Sequence, residues 1–246
     1  MVQAVSRPPD DDEPRVSGAF DAFQASRDRT RARALAGRPR FYSPYLHLLG
    51  TTGIGLVTLA VAGFSIHHLR GVELGIVPAL LLISNAVEWY AHKTMLHRRR
   101  WPVEVLYDRH TPQHHVIYQY DSMAIRSVDE FRLVLIPAVG VAAVVVAAAP
   151  LAYAASRLLT PNCGWLSLST SALYMVTYEL SHLSYHLPED SFVGRRPLIR
   201  ALREHHRRHH HTALMQRWNF NVTLPLFDWI FRTSVPDALV RKVSAD

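Results

Sequence analysis

The sequence predicts an all-α protein in which four transmembrane helices carry a cytoplasmic helical cap with a histidine-rich site. Three observations lead there. Long uncharged apolar segments alternate with basic ones, the Lys and Arg residues gather on one side of those segments, and twelve of the fifteen histidines fall in four tight clusters beside them. Those clusters are His92 and His97; His110, His114 and His115; His182 and His186; and His205, His206, His209, His210 and His211.

Residues 1–40 read as a disordered and basic N-terminal arm. Pro8, Pro9, Asp10, Asp11 and Asp12 crowd its first part, which argues against order up to about residue 17. From Gly18 to Arg40 the chain is rich in Ala and Arg, a pattern that fits either a basic interfacial helix or a solvated arm. The arm lacks the apolar stretch of a cleavable signal peptide.

Residues 41–240 are expected to form a single membrane-embedded domain. Its first helix, about 45–66, has no charged side chain. The third, about 133–155, lies within 24 uncharged residues between Arg132 and Arg157, roughly 36 Å of helix at about 1.5 Å per residue and enough to cross a bilayer. The second (about 73–91) and fourth (about 163–181) are weaker when taken singly, with uncharged cores of 14 and 18 residues that would also suit buried helices. The cap is then drawn from residues 92–132 and 182–240.

With four crossings, the loops on one side contain only Arg70 and Arg157, and the other 25 of 27 basic residues lie opposite. Lys and Arg accumulate on cytoplasmic loops, so an integral, multi-pass protein with both termini and all four histidine clusters in the cytoplasm is expected. The net charge of +7 therefore reads as topology and attraction to anionic lipid, with no nucleic-acid partner. Cys163 is the single cysteine, which leaves neither an intramolecular disulfide nor a cysteine-ligated iron–sulfur cluster.

Neutral imidazole is a good metal ligand near pH 7, and one ion takes roughly four to six ligands, so this many histidines suit two ions. Residues three or four apart share a helical face, which pairs His182 with His186, His110 with His114, and His206 with His210. His92 and His97 diverge by about 140° unless the helix loosens there. The neighbours His114/His115 and His209/His210 point about 100° apart and can serve two different metals.

The motifs resemble those of the fatty acid hydroxylase/sterol desaturase superfamily of integral-membrane di-iron oxygenases. Asn85-Ala-Val-Glu-Trp-Tyr-Ala-His92-Lys-Thr-Met-Leu-His97 is similar to its HxxxxH box, His110-Thr-Pro-Gln-His114-His115 to HxxxHH, and His182-Leu-Ser-Tyr-His186 to HxxxH. His206-Arg-Arg-His209-His210 is similar to the closing HxxHH box, and Asn219 to Thr233 to the tail beyond that box. The resemblance implies O2-dependent oxidation of a lipid C–H bond, either hydroxylation or desaturation, with fatty acyl, sterol or carotenoid substrates. It implies two iron ions, a site that zinc is able to occupy in purified protein, and ligands His92, His97, His110, His114, His115, His182, His186, His206, His209 and His210. His205 and His211 are alternates, because HxxxHH also fits in shifted frames.

No catalytic residue separate from the metal centre is expected. Electrons must come from a partner of cytochrome or ferredoxin type with its reductase, since no electron-transfer domain precedes the first helix. Glu88 and Glu179 precede histidines by four and three residues, close enough to accept the ring N–H that faces away from a metal, and Asp228 could do the same from the tail. The plainer reading of each carboxylate is a helix-end charge pair. Asn85 is a candidate to hold a metal-bound water. Asn221 and Arg232 stand where relatives often have glycine, and Arg takes the left-handed backbone only at a cost, so a differently shaped loop is expected there. A metal transporter is the alternative from another class, but its ligands belong at mid-membrane depth, where the first and third segments have no ionisable residue.

Overall fold

The computed structural model describes residues 13–243, so the start of the N-terminal arm lies outside the described residues. Its helices in chain order are α1 (Glu13–Ala36), α2 (Pro44–Ser65), α3 (Ile76–Ala91), α4 (Glu104–Arg109), α5 (His115–Ile117), α6 (Phe131–Val134), α7 (Ala138–Leu158), α8 (Pro161–His186), α9 (Pro197–His209), α10 (Leu226–Ile230) and α11 (Asp237–Val243). Two π-helical turns, His92–Leu96 and His110–His114, extend α3 and α4. The described residues contain no strand, only an isolated bridge between Gln119 and Ser122.

Three helical stretches are long and apolar enough to cross a membrane by length and composition: Pro44–Ser65, Gly71–Leu96 and Val128–Leu158. Helix α8 is longer than α2 or α7 but less apolar, for a geometric reason. It is packed against α2, α3 and α7 and buries Ser167, Thr170 and Glu179 among them, so it has little outer surface that needs to be apolar. Small residues let its neighbours come close. A Cβ on Gly55 of α2 would lie 2.2 Å from Val176 Cγ2, and one on Gly164 of α8 would lie 2.9 Å from the Ala152 carbonyl of α7.

The connections at the N-terminal end of α8 are stapled by side chains. Glu73 accepts from Arg70 N (2.7 Å), Thr160 Oγ1 (2.6 Å) and Asn162 Nδ2 (3.1 Å). Asn162 also exchanges hydrogen bonds with the backbone of His67. The clustered histidines are carried at or beyond the other end of the bundle, where α3 and α8 finish, with His182 and His186 in the last turns of α8 itself.

The third apolar segment is interrupted where the sequence predicts continuous helix from residue 133. Helix α6 stops at Val134, Leu135–Pro137 is extended, and α7 resumes at Ala138. Pro137 has no N–H to continue the ladder, and the freed groups of Ile136 find other partners. Its N–H donates to Glu179 (2.7 Å), and its carbonyl accepts from Thr51 Oγ1 (3.1 Å) and His47 Nε2 (3.3 Å).

The Ala/Arg-rich stretch forms the greater part of α1, which docks on the cap instead of extending into solvent. Arg27 and Arg31 are buried one turn apart. Arg27 donates to the carbonyls of Ile117 (3.0 Å) and Ser122 (3.2 Å), while Arg31 faces Glu130 at 3.5 Å. Glu130 also accepts from Tyr118 Oη at 2.8 Å, so each buried charge has partners.

The tail keeps a glycine-like geometry without glycine. Arg232 has φ 55° and follows α10 in a Schellman turn, with Arg232 N bonded to Trp229 O (3.2 Å) and Thr233 N to Asp228 O (2.7 Å). The expectation of an altered loop at Arg232 is thus corrected: the turn forms and the arginine bears the left-handed strain. Asn221 has no positive φ, and Asn219 takes that conformation instead, at φ 56°. Arg232→Gly should stabilise the protein by about 1 kcal/mol, since the left-handed penalty for a residue with Cβ is roughly 1–2 kcal/mol. Thermal unfolding in detergent checks this, and a lower midpoint than wild type would contradict it.

Candidate metal centre

The two π-turns solve the spacing problem posed by the sequence. Five residues span about 500° in an α-helix, leaving a 140° divergence, whereas the wider π-turn brings positions i and i+5 back toward one face. His92 and His97 accordingly stack with ring centroids 5.1 Å apart. In the second π-turn His110 meets His115, with Nε2 atoms 3.0 Å apart. This corrects the pairing of His110 with His114 by α-helical spacing. The regular helices α8 and α9 keep the i, i+4 pairs, His182 with His186 at 4.9 Å and His206 with His210 at 4.6 Å between ring centroids.

Ten histidines come together in two groups of five. His92, His97, His110, His115 and His209 form one, and His114, His182, His186, His206 and His210 the other, with the ligand atoms in each group within 4.8 Å of one another. The neighbours His114/His115 and His209/His210 divide between the groups, and His115 stacks on His210 at 4.3 Å where the groups meet. All ten side chains are buried. His205 and His211 stand outside: His205 Nε2 bonds Asp228 (3.0 Å), and His211 Nδ1 accepts from Ala213 N (3.2 Å).

Hydrogen bonding settles what six of the ten rings present to their neighbours. Nδ1 of His92 contacts the carbonyl of Phe220 (2.5 Å), His114 that of Leu133 (3.0 Å), His186 that of Met123 (2.8 Å), His209 that of Trp218 (2.8 Å) and His210 that of Tyr118 (2.6 Å). A carbonyl oxygen only accepts, so Nδ1 carries the proton and Nε2 is left as a bare lone pair in each neutral ring. His97 reaches the same state through Thr111, whose hydroxyl donates to Leu96 O (2.7 Å) and accepts from His97 Nδ1 (3.1 Å).

His97 Nε2 and His209 Nε2 then face each other at 2.9 Å as two acceptors with no proton between them. The Nε2 atoms of His114, His182 and His186 are buried with no partner at all. Protonation does not relieve this. Burial lowers the pKa of His114 and His209 to about 4, and burial together with the neighbouring imidazoles of His209 and His114 lowers that of His97 to about 2. The same desolvation holds His110, His115, His206 and His210 well below their ordinary value. Buried lone pairs converging without donors suit metal cations, and the donor set of nitrogen alone suits iron or zinc.

The expected supporting carboxylates lie one step further out than their spacing suggests. Glu88 accepts from Tyr174 Oη, from the N–H groups of Val222 and Thr223, and from Thr223 Oγ1. Glu179 accepts from Ile136 N. Asp228 accepts from Phe220 N (3.0 Å), Asn221 N (2.8 Å) and Thr233 Oγ1 (2.6 Å) besides His205. None of the three bonds a ring of either group, because backbone carbonyls already take the Nδ1 protons found to have a partner there. The carboxylates pin the backbone that pins the rings: Asp228 holds Phe220 N while Phe220 O holds His92. Asn85 is also turned to this task, with Nδ2 donating to Tyr174 Oη (2.9 Å), Thr223 Oγ1 (3.1 Å) and Leu224 O (3.0 Å).

Sequence reading missed the five carbonyls that orient the rings, since a backbone oxygen has no residue signature. It also missed the Arg27–Arg31–Glu130–Tyr118 brace, for which the only signal was two arginines four apart in a helix-prone stretch.

Among solved structures, the chain is similar to one described as full-length scs7p with only its hydroxylase domain visible. The two share 18% identity with a TM-score of 0.53, over 79% of this chain and 67% of the other, a likeness of fold. No curated protein matches the sequence. The family model described as fatty acid hydroxylase matches residues 77–233, a stretch that contains all ten converging histidines. The chain belongs to the fatty acid hydroxylase family.

Proposed function

We propose that this protein is a membrane-embedded di-iron oxygenase that hydroxylates a C–H bond of a lipid. The observation that carries the reading is the meeting of buried imidazole nitrogens in two abutting groups of five, with Nε2 a bare lone pair in six of the ten rings. Five neutral imidazoles per ion leave room for a further ligand in a six-coordinate shell. When bound, two ferrous ions would supply dioxygen activation with external electrons, a chemistry zinc lacks.

The chain's own residues have three tasks in that reaction. The carbonyls of Phe220, Leu133, Met123, Trp218 and Tyr118 fix each ring's tautomer and direction. Burial keeps the rings neutral and excludes bulk water from the reacting carbon. No side chain is needed as a separate acid or base. Four spans, with α8 as the fourth and innermost, would place the cap and both termini on the cytoplasmic side by the charge asymmetry. Substrate then enters from the bilayer, and a separate cytochrome- or ferredoxin-type donor with its reductase delivers electrons to the cap. Desaturation is the neighbouring outcome on the same centre.

Incubation with lipid extract, an electron-donor system and oxygen-18 should yield a labelled alcohol. His114→Ala and His182→Ala should abolish that product, lower metal content per chain and leave membrane insertion intact. A new double bond without label would reassign the reaction to desaturation, and full turnover by either variant would remove that residue from the ligand set.

Metal uptake supplies a second test. An ordinary imidazole site loses affinity as pH falls through about 6.5, because protons compete for the ligands. Here the depressed values, about 4 for His114 and His209 and about 2 for His97, keep protons off the folded site until more acidic pH. Uptake by folded, chelator-stripped protein should therefore be nearly equal at about pH 7.5 and about pH 5.5. Half-loss near pH 6.5 would show that the rings are not desolvated.

A further inference from the structure

Beyond the metal groups, the tail is chemically two-faced. Its inner face is polar and fully tied to α3: Glu88 takes the N–H groups of Val222 and Thr223, Asn221 Nδ2 donates to Asn85 O (3.0 Å), and Trp89 Nε1 donates to Thr233 Oγ1 (2.9 Å). Its outer face presents Leu224, Trp229, Ile230 and Phe231, each more than half exposed, within eight residues. Isolated exposed apolar residues are ordinary, but four within eight residues are a concentration that calls for a covering phase.

We propose that this outer face of the tail lies in the lipid leaflet beside α3 and sets the depth of the first histidine group. The inference rests on reading α3 as a membrane-crossing helix. The occupant is identified by continuity. The tail runs along Asn85, Glu88 and Trp89, and α3 is itself exposed and apolar over Leu81, Leu82, Ile83 and Val87 in the turns just before and among those contacts. Phe231 packs on Trp89 with ring centroids 4.6 Å apart, so its exposed surface extends that of the helix.

The boundary of the layer is marked by charge. Lys93 sets its ammonium 4.4 Å above the Trp89 ring, one turn beyond the tail's last contact with α3, as a lysine does when its stem follows apolar surface and its head reaches water. In-plane segments of this kind bury their apolar face about 5–10 Å into the headgroup and acyl boundary. The same segment reaches the metal groups directly. Asp228 of α10, flanked by Trp229 on the lipid side, holds Phe220 N, and Phe220 O orients His92. Lipid contact at one end of this unit thereby fixes where His92 and its group stand relative to the bilayer surface.

Single nitroxide labels test this in full-length protein reconstituted in phosphatidylcholine vesicles. Buried Cys163 is first replaced by Ser, and labels are placed at Ile230→Cys, Leu224→Cys, Leu82→Cys as the helix reference, and Glu189→Cys as the aqueous reference. Collisions with dissolved oxygen should exceed those with a water-soluble nickel chelate several-fold at Ile230, Leu224 and Leu82, and the order should reverse at Glu189. Nickel-dominated collisions at both Ile230 and Leu224, with Leu82 still oxygen-dominated, would overturn the tail's place in lipid while leaving α3 in the membrane. Nickel-dominated collisions at Leu82 as well would overturn the membrane reading from which the inference starts.

Discussion

The site depends on one constraint: imidazoles that are neutral, buried and forced to point acceptor lone pairs at one another. His97 and His209 show it most plainly, with two bare Nε2 atoms 2.9 Å apart. An unsatisfied buried polar atom typically costs about 1–3 kcal/mol, and this centre gathers several. Among the described residues, the N–H groups of His97 and His209 are already turned outward, to Thr111 and to the Trp218 carbonyl, so neither ring can donate to the other. A cation on each group would convert the same arrangement from the least favourable part of the fold into one that holds it together.

The rest of the scaffold supplies the positions of those carbonyls. The π-turns at His92–Leu96 and His110–His114 give up regular helical bonding so that i, i+5 pairs share a site, a local departure from the α-helix of the kind found where function requires it. The break at Leu135–Pro137 places the Leu133 carbonyl beside His114, and Glu179 steadies the break from α8. Arg27 and Arg31 brace the Ile117–Ser122 stretch whose Tyr118 carbonyl orients His210. Glu88 and Glu179, which look like partners of histidine in the sequence, hold backbone N–H groups of Val222, Thr223 and Ile136 instead.

Legibility in the sequence depends on which forces leave a residue signature. Apolar segments and the gathering of basic charge reflect solvation, so the helices and the common end of the histidine clusters can be read directly. The ten histidines are readable because their chemistry is carried by side-chain identity. Their division into two groups is only half readable: α-helical spacing correctly joins His182 to His186 and His206 to His210, but it joins His110 to His114 because a π-turn has no compositional mark. Glu88 and Glu179 mislead for a related reason, as proximity along a helix does not reveal that a carbonyl already occupies the histidine N–H, whereas Asp228 does reach a histidine, His205, outside the two groups. Helix α1 is unreadable as a docked element because its buried arginines bond backbone oxygens, and Arg232 shows that a turn can form with the strain left in place.

X-ray absorption at the metal edge, on protein purified from membranes without chelators, addresses the ligand cage itself. The expected spectrum has a first shell of nitrogen or oxygen at about 2.0–2.2 Å with the multiple scattering of several imidazoles per metal. A folded protein that carries no metal, or a first shell with sulfur or without imidazole scattering, would contradict it.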